Sequence, residues 1–136
     1  MKEFLVDPVA DAILPSVLAF VEEELSERDI PLKVLHQILI AVEEIFTNIA
    51  HYAYPLAKGD ARIRCTVEDH PPQVVLQFLD RGIPFNPLEH EPPDTTLPPD
   101  QRQMGKLGLL MVRKIMSGVA YEYKDGKNIL TLKKEL

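Results

Sequence analysis

Glu44 and Asn48 stand four residues apart in LHQILIAVEEIFTNIAHYAY, residues 35–54. On a helix that spacing places both on one face. The same stretch carries Leu35, Ile38, Val42, Ile45 and Ile49 at helical spacing, an apolar stripe that points into a core. Polar groups at the rim of such a stripe cost free energy unless something pairs with them. Asparagine offers a neutral, hard oxygen of the kind Mg2+ takes. A glutamate beside it could orient a nucleophile or remove its proton. Glu43 competes for that role but lies about 100° away around the helix. His51 and Tyr52, one turn on, read as helix-end packing. The plainer alternative is that Glu44 and Asn48 are the polar flank of an amphipathic helix.

Two further groups could do chemistry. Asp80-Arg81-Gly82 ends an apolar strand. A carboxylate there can accept a hydrogen bond from an exocyclic amine, and the glycine lets backbone approach a ring; a simple turn is the alternative. Gly105-Lys106-Leu107-Gly108 leads into an apolar-periodic stretch. Backbone N–H groups at a helix N-terminus attract anions, and glycines let phosphates come close. It is not a GxxxxGK[ST] loop, and it follows a loop, not a strand, so it is no dinucleotide fingerprint. The alternative is a loop-to-helix joint.

The elements that must position these residues follow from periodicity. Lys2 to Val6 reads as a short edge strand. Asp7-Pro8 reads as a helix start, with Asp7 as N-cap, and a helix to about Arg28 carries Ile13, Leu14, Val17, Phe20, Val21 and Leu25 inward. Pro15 should kink that helix or delay its start. Asp29-Ile30-Pro31 repeats the start signal for the central helix, which ends before Pro55. Ala61 to Glu68 alternates, with Ile63, Cys65 and Val67 on one face. Asp69 to Pro72 is a turn, and Gln73 to Leu79 completes a hairpin. Residues 81–104 hold six of the twelve prolines and form no regular element; a loop that long is usually functional or disordered. Gly105 to about Ser117 is a third helix. Val119 to Tyr123 and Asn128 to Lys134 flank Asp125-Gly126, a hairpin turn signal. This order, without βαβ alternation, is α+β: a two-layer sandwich of a mainly antiparallel mixed sheet with about three helices on one face.

Composition narrows the function. The 136 residues make one domain, with no internal repeat. A net charge of -6 without a basic patch argues against direct nucleic-acid binding and against anionic membranes. One cysteine, Cys65, excludes an internal disulfide and a cysteine metal cluster, and fits a cytoplasmic location. MKEFLVDPVADAIL breaks its apolar run with Asp7, Pro8 and Asp11, so it does not read as a signal peptide, and no run spans a bilayer.

The order and spacing of the three groups form one pattern: Glu44-x-x-x-Asn48 on a helix, Asp80-x-Gly82 after a hairpin strand, a long loop, and Gly105-x-x-Gly108 opening a helix. The chain resembles the histidine-kinase-like (GHKL, Bergerat fold) ATPase superfamily, with its N, G1 and G2 boxes and an ATP lid, here about residues 83–104. Within it the chain looks like the stand-alone anti-sigma-factor serine kinases of the RsbW and SpoIIAB type. AVEEIFTNIAHYAY, LQFLDRGIPFNP and GKLGLLMVRKIMSGVAYEYKDGKNILTLKK carry the likeness, which covers nearly the whole chain. No phosphoacceptor-histidine helix pair precedes it, unlike an intact sensor kinase.

The resemblance implies ATP and Mg2+ as cofactors. Asn48 would hold Mg2+ against the phosphates, and Glu44 would act as base for the attacking hydroxyl. Asp80 would bind the adenine amine with Gly82 beside the ring. Gly105 and Gly108 would let the lid and helix close over the phosphates. Thr131 matches a position that helps hold adenine through water. Lys106 stands where the family often has a second glycine, as a phosphate contact or a stiffener of the lid, and Ser117 replaces a frequent aspartate. The implied activity is that of a serine/threonine protein kinase, a homodimer that binds a sigma factor and phosphorylates a STAS-type antagonist. Two other readings use the same residues: a nucleotide-dependent binding adaptor without kinase turnover, and a nucleotide-free structural domain. Retention of Glu44 favours the kinase, because an adaptor needs no base.

Overall fold

A computed structural model of the chain describes residues 1–86 and 106–136, and at 106 and 107 the backbone alone. Gly105, the Lys106 side chain and the expected lid from residue 87 onward lie outside the described residues. Those residues form five strands: β1 (Lys2–Val6), β2 (Ala61–Asp69), β3 (Pro72–Asp80), β4 (Gly118–Lys124) and β5 (Lys127–Glu135). They also form helices α1 (Leu14–Leu25), α2 (Leu32–Tyr52) and α3 (Lys106–Ile115), with a 3-10 turn at Asp11–Ile13 before α1.

The strands lie in the order β1-β2-β3-β5-β4. The mainly antiparallel sheet that the sequence leads one to expect is antiparallel at every pairing. Strand alternation sends Ile63, Cys65, Val74, Leu76, Phe78, Leu130 and Leu132 to one face, where they meet Val17, Val21, Ile38, Val42, Phe46 and Val112 of the helices. That layer is the core. Burial pushes the Cys65 thiol up to about 12, so it stays an inert core group. Asp125 (φ 53°) and Gly126 (φ 76°) turn β4 into β5 with two successive positive φ angles, the geometry a two-residue hairpin needs.

The first helix starts later than Asp7-Pro8 suggests. Val9 N–H donates to the Gly59 carbonyl at 2.8 Å, tying that segment to the turn before β2. The helix opens at Leu14 with Pro15 in its first turn, where a missing N–H costs nothing. The central helix opens three residues earlier than its apolar stripe, directly after Pro31. Ser117 joins α3 to the sheet: its Oγ accepts from Glu135 N–H at 2.8 Å and its N–H donates to the Lys133 carbonyl at 2.8 Å.

Candidate functional site

Between α2 and the sheet lies an apolar cleft with about 610 Å³ between its walls, mouth included. Ile45, Ile49 and Tyr52 of α2, with Ala53 just after it, form one wall, and Phe78, Leu130 and Tyr121 of the sheet form the other. Ile83, Phe85 and Leu109 complete it. Three polar side chains enter this lining: Asn48, Asp80 and Asn128.

Asp80 and Asn128 are the buried polar side chains among the described residues. They are direct register partners on β3 and β5. Asn128 Nδ2 donates to Asp80 Oδ1 at 3.0 Å, and the Gly82 N–H donates to the same oxygen at 2.9 Å. No described residue donates to Asp80 Oδ2. Burial pushes the Asp80 carboxyl above the ordinary aspartate value, and its hydrogen bonds from Asn128 and Gly82 pull it part of the way back. The turn after Asp80 is anchored from behind: Tyr54 Oη accepts from Arg81 N–H at 2.8 Å and donates to the Asp60 carbonyl at 2.6 Å. Gly82 lies against the end of α2. A β-carbon there would sit 2.3 Å from the Ala53 carbonyl oxygen, which accepts the Ile83 N–H at 3.0 Å.

At the α2 wall, Asn48 Nδ2 donates to the Glu44 carbonyl at 2.7 Å. That bond turns Oδ1 away from the helix backbone, and among the described residues nothing donates to it. The Glu44 side chain reaches the first turn of α3. A β-carbon on Gly108 would lie 1.9 Å from Glu44 Oε2, so the glycine makes the space that the carboxylate uses. Negative charge at a helix N-terminus is favoured by the peptide dipoles and unsatisfied N–H groups. Glu43, the competitor, is exposed.

The profile of the family described as histidine kinase-like ATPase domain matches residues 8–134. The chain belongs to this family. Serine/threonine-protein kinase BtrW of Bordetella bronchiseptica is 28% identical over 95 residues, 70% of this chain and 66% of that protein. Among solved structures, the RsbU and RsbW domains of Rv1364c from Mycobacterium tuberculosis superpose over all of this chain and 33% of theirs (TM-score 0.64, 16% identity). The Erythrobacter litoralis EL346 blue-light activated histidine kinase superposes over 95% of this chain and 42% of its own (TM-score 0.62, 18% identity). The chain thus spans a third to two fifths of the length of these neighbours, and at such identities they speak for the fold alone.

Within this histidine kinase-like ATPase domain, the structure brings Asn48 and Asp80 to one cleft, with Gly82 behind Asp80 as a donor to its carboxylate and Glu44 and Gly108 paired beside the cleft. Thr131 is not brought there. Residues 128, 130 and 132 of β5 face the helices, so Thr131 faces the other side of the sheet, where its Oγ1 accepts from Gln77 Nε2 at 3.3 Å. A side chain on that face has no path to the cleft. The polar β5 residue in the cleft is Asn128, which sequence reasoning missed. It could be found by phase: it lies two residues before Leu130 and four before Leu132, on the face those leucines bury. Among the described residues, no group of three or more His, Cys, Asp or Glu side chains could hold a metal, and no helix is long and apolar enough to cross a membrane.

The cleft suits an adenine nucleotide. Its walls are apolar, as a ring needs; its buried carboxylate keeps one acceptor oxygen without a donor among the described residues; and Asn48 presents a second. Mg2+ usually takes few protein ligands alongside phosphate and water oxygens, so a lone carboxamide oxygen is a sufficient protein share.

Proposed function

We propose that residues 1–136 act as one ATP- and Mg2+-binding domain with serine/threonine protein kinase activity. The observation that carries this reading is the cleft itself, with a buried carboxylate on its sheet wall and, on its helix wall, a carboxamide oxygen to which no described residue donates. Asp80 Oδ2 would accept the exocyclic amine of adenine, with Gly82 beside the ring. Asn48 Oδ1 would hold Mg2+. Glu44 would accept the proton of the attacking hydroxyl, and Gly108 leaves room for its carboxylate. Gly105 and Lys106 belong to the same proposal as phosphate contacts. Bound ATP would supply the phosphoryl group and Mg2+ the neutralising charge, so the protein's share is positioning and proton removal.

The likeness to a serine/threonine-protein kinase supports the transfer activity, and the resemblance of the sequence motifs to anti-sigma-factor kinases is the ground for placing it in a partner-switching system. There the protein would work in the cytoplasm as a homodimer, as an anti-sigma factor that phosphorylates a STAS-type antagonist. The test has two stages. ATP with Mg2+ should raise the melting temperature, since a ligand bound only by the native state stabilises it. Asn48→Ala should lose the Mg2+-dependent part of that rise. Incubation with labelled ATP and the STAS-type proteins encoded in the same genome should then label one of them on serine or threonine. No melting shift at millimolar ATP would remove the nucleotide reading altogether. A shift without labelling would leave a nucleotide-dependent adaptor.

A further inference from the structure

Asn128 is hydrogen-bonded through both atoms of its side-chain amide. Its Oδ1 accepts from the Phe85 N–H at 3.1 Å and from the Tyr121 hydroxyl. Its Nδ2 donates to Asp80 Oδ1 at 3.0 Å and to the Ile83 carbonyl at 2.9 Å. The orientation of this amide follows from its partners. A backbone N–H can only donate, so the atom facing Phe85 must be the oxygen; a backbone carbonyl can only accept, so the atom facing Ile83 must be the nitrogen. The nitrogen is then also the atom that faces Asp80. It joins the Gly82 N–H on Oδ1, and two donors on one carboxylate oxygen favour the ionised carboxylate over the protonated acid. Asp80 therefore has its acceptor role set by the neighbouring strand, and Oδ2 is the oxygen that remains for a ligand.

We propose that Asn128 is the positioning residue that sets base selectivity in this cleft, by locking Asp80 as an acceptor so that a ring with an exocyclic amine is preferred over one with a carbonyl at the same place. The inference rests on the nucleotide reading above. Its chemical content is narrower: adenine over hypoxanthine or guanine. A carbonyl placed against Oδ2 sets acceptor against acceptor in a buried site, a mismatch that such sites reject strongly. The same amide also ties Ile83 and Phe85, two walls of the cleft, to β5. The lock and the shape of the apolar pocket are thus built by one side chain.

Inosine triphosphate is the discriminating probe, because it replaces the exocyclic amine of ATP with a carbonyl and leaves ribose and phosphates unchanged. Affinities for ATP and inosine triphosphate, each with Mg2+, are measured by calorimetry on the wild-type chain, Asn128→Asp and Asn128→Ala. Asn128→Asp keeps the shape and the acceptor toward Phe85 but turns the atom facing Asp80 into an oxygen. The two carboxyls must then share a proton at close range. The expected result is a wild type that prefers ATP and an Asn128→Asp variant whose preference falls by about tenfold or more, with the pH dependence of ATP binding moved to higher pH than in the wild type. A merely structural role would weaken both nucleotides equally and leave the ratio unchanged, and that outcome overturns the proposal. If Asn128→Ala proves too unstable to measure, Asn128→Asp and Tyr121→Phe, which removes one donor from Oδ1, carry the comparison. A wild type that binds neither nucleotide would remove the nucleotide reading itself. A wild type that binds ATP and inosine triphosphate alike would leave that reading standing and remove this one.

Discussion

The two polar ends of the cleft are built in opposite ways. On the sheet wall, Asn128 has both amide atoms engaged and Asp80 has one oxygen held by two donors. One acceptor atom is left over. On the helix wall, the Asn48 amide nitrogen is tied back to its own helix, Oδ1 has no donor, and the Glu44 carboxylate has no hydrogen-bond partner among the described residues. An end saturated by fixed protein partners is pre-organised to recognise a shape and one donor. An end of unpaired oxygens beside a helix N-terminus is arranged for mobile charge, a cation or a transferred proton. On the proposed reading, recognition falls to the sheet end and chemistry to the rim of the helix.

Glu44→Gln tests the helix end and should give the largest effect. Losing a positioned base typically costs 10²–10⁴-fold, so phosphoryl transfer to the cognate protein should fall by about that factor. The ATP-induced melting shift should persist, since the base assignment touches no binding contact. Transfer at the wild-type rate would show that Glu44 is not the base and that the division between the two ends is wrong. Asp80→Asn tests the sheet end and should be smaller. The new amide can keep its oxygen toward Gly82 and Asn128, which places its NH2 against the ligand's amine. ATP affinity should drop by about tenfold or more in a titration, with no loss of intrinsic stability. A variant that melts early and still binds ATP would make Asp80 a structural residue.

Much of this division is legible in the sequence, and the illegible part has a physical cause. Glu44, Asn48, Asp80 and Gly82 announce themselves because a polar residue or a glycine interrupts an apolar pattern. The core faces of α2, β2 and β3 follow from periods of 3.6 and 2. Asn128 sits in phase with the buried leucines of β5, so its burial could be read, but its partnership with Asp80 could not: that depends on the β3–β5 register, a pairing between strands 48 residues apart. Thr131 shows the converse error. A family position was matched, but the strand's own alternation already placed it on the far face. The start of α1 was misread because Asp-Pro is a good helix opener in general, and nothing local in Asp7-Pro8 reveals the hydrogen bond from Val9 to Gly59 that ties the segment elsewhere.

The glycines sharpen the same comparison, because their neighbours differ in kind. A β-carbon at Gly82 meets backbone, the Ala53 carbonyl carbon at 2.7 Å and its oxygen at 2.3 Å. One at Gly108 meets only the end of the Glu44 side chain, which can swing aside. Gly82→Ala should therefore destabilise the protein by about 1–3 kcal/mol, the usual cost of overpacking. Gly108→Ala should leave the melting temperature nearly unchanged while displacing Glu44 and slowing transfer. Equal melting losses for the two variants in a thermal scan would mean that Glu44 is held as firmly as a backbone carbonyl.

The smallest effect lies in the pH dependence of stability, and it separates the energetic cost of the sheet end from its function. Burial raises the Asp80 carboxyl above the ordinary aspartate value. Between that ordinary value and the raised one, the native state holds a proton that the unfolded chain has released. Stability from this group is therefore fully present below the unfolded value and is lost as pH rises through the native one, the reverse of an ion-paired aspartate. Asp80→Asn has no such proton. Free energies from chemical denaturation, taken from about pH 4 to 7, should show the variant gaining on the wild type as pH rises and the gap then holding constant. The exposed pair Glu3–Arg64 supplies the opposite sign, because its hydrogen bond from Arg64 lowers the Glu3 carboxyl; being open to solvent, it should fade with added salt while the Asp80 gap does not. A wild type that instead gains on Asp80→Asn with rising pH would mean that the buried carboxylate is more stable charged than neutral. Its open oxygen would then already be satisfied within the protein, and the sheet end would have nothing left to offer a ligand.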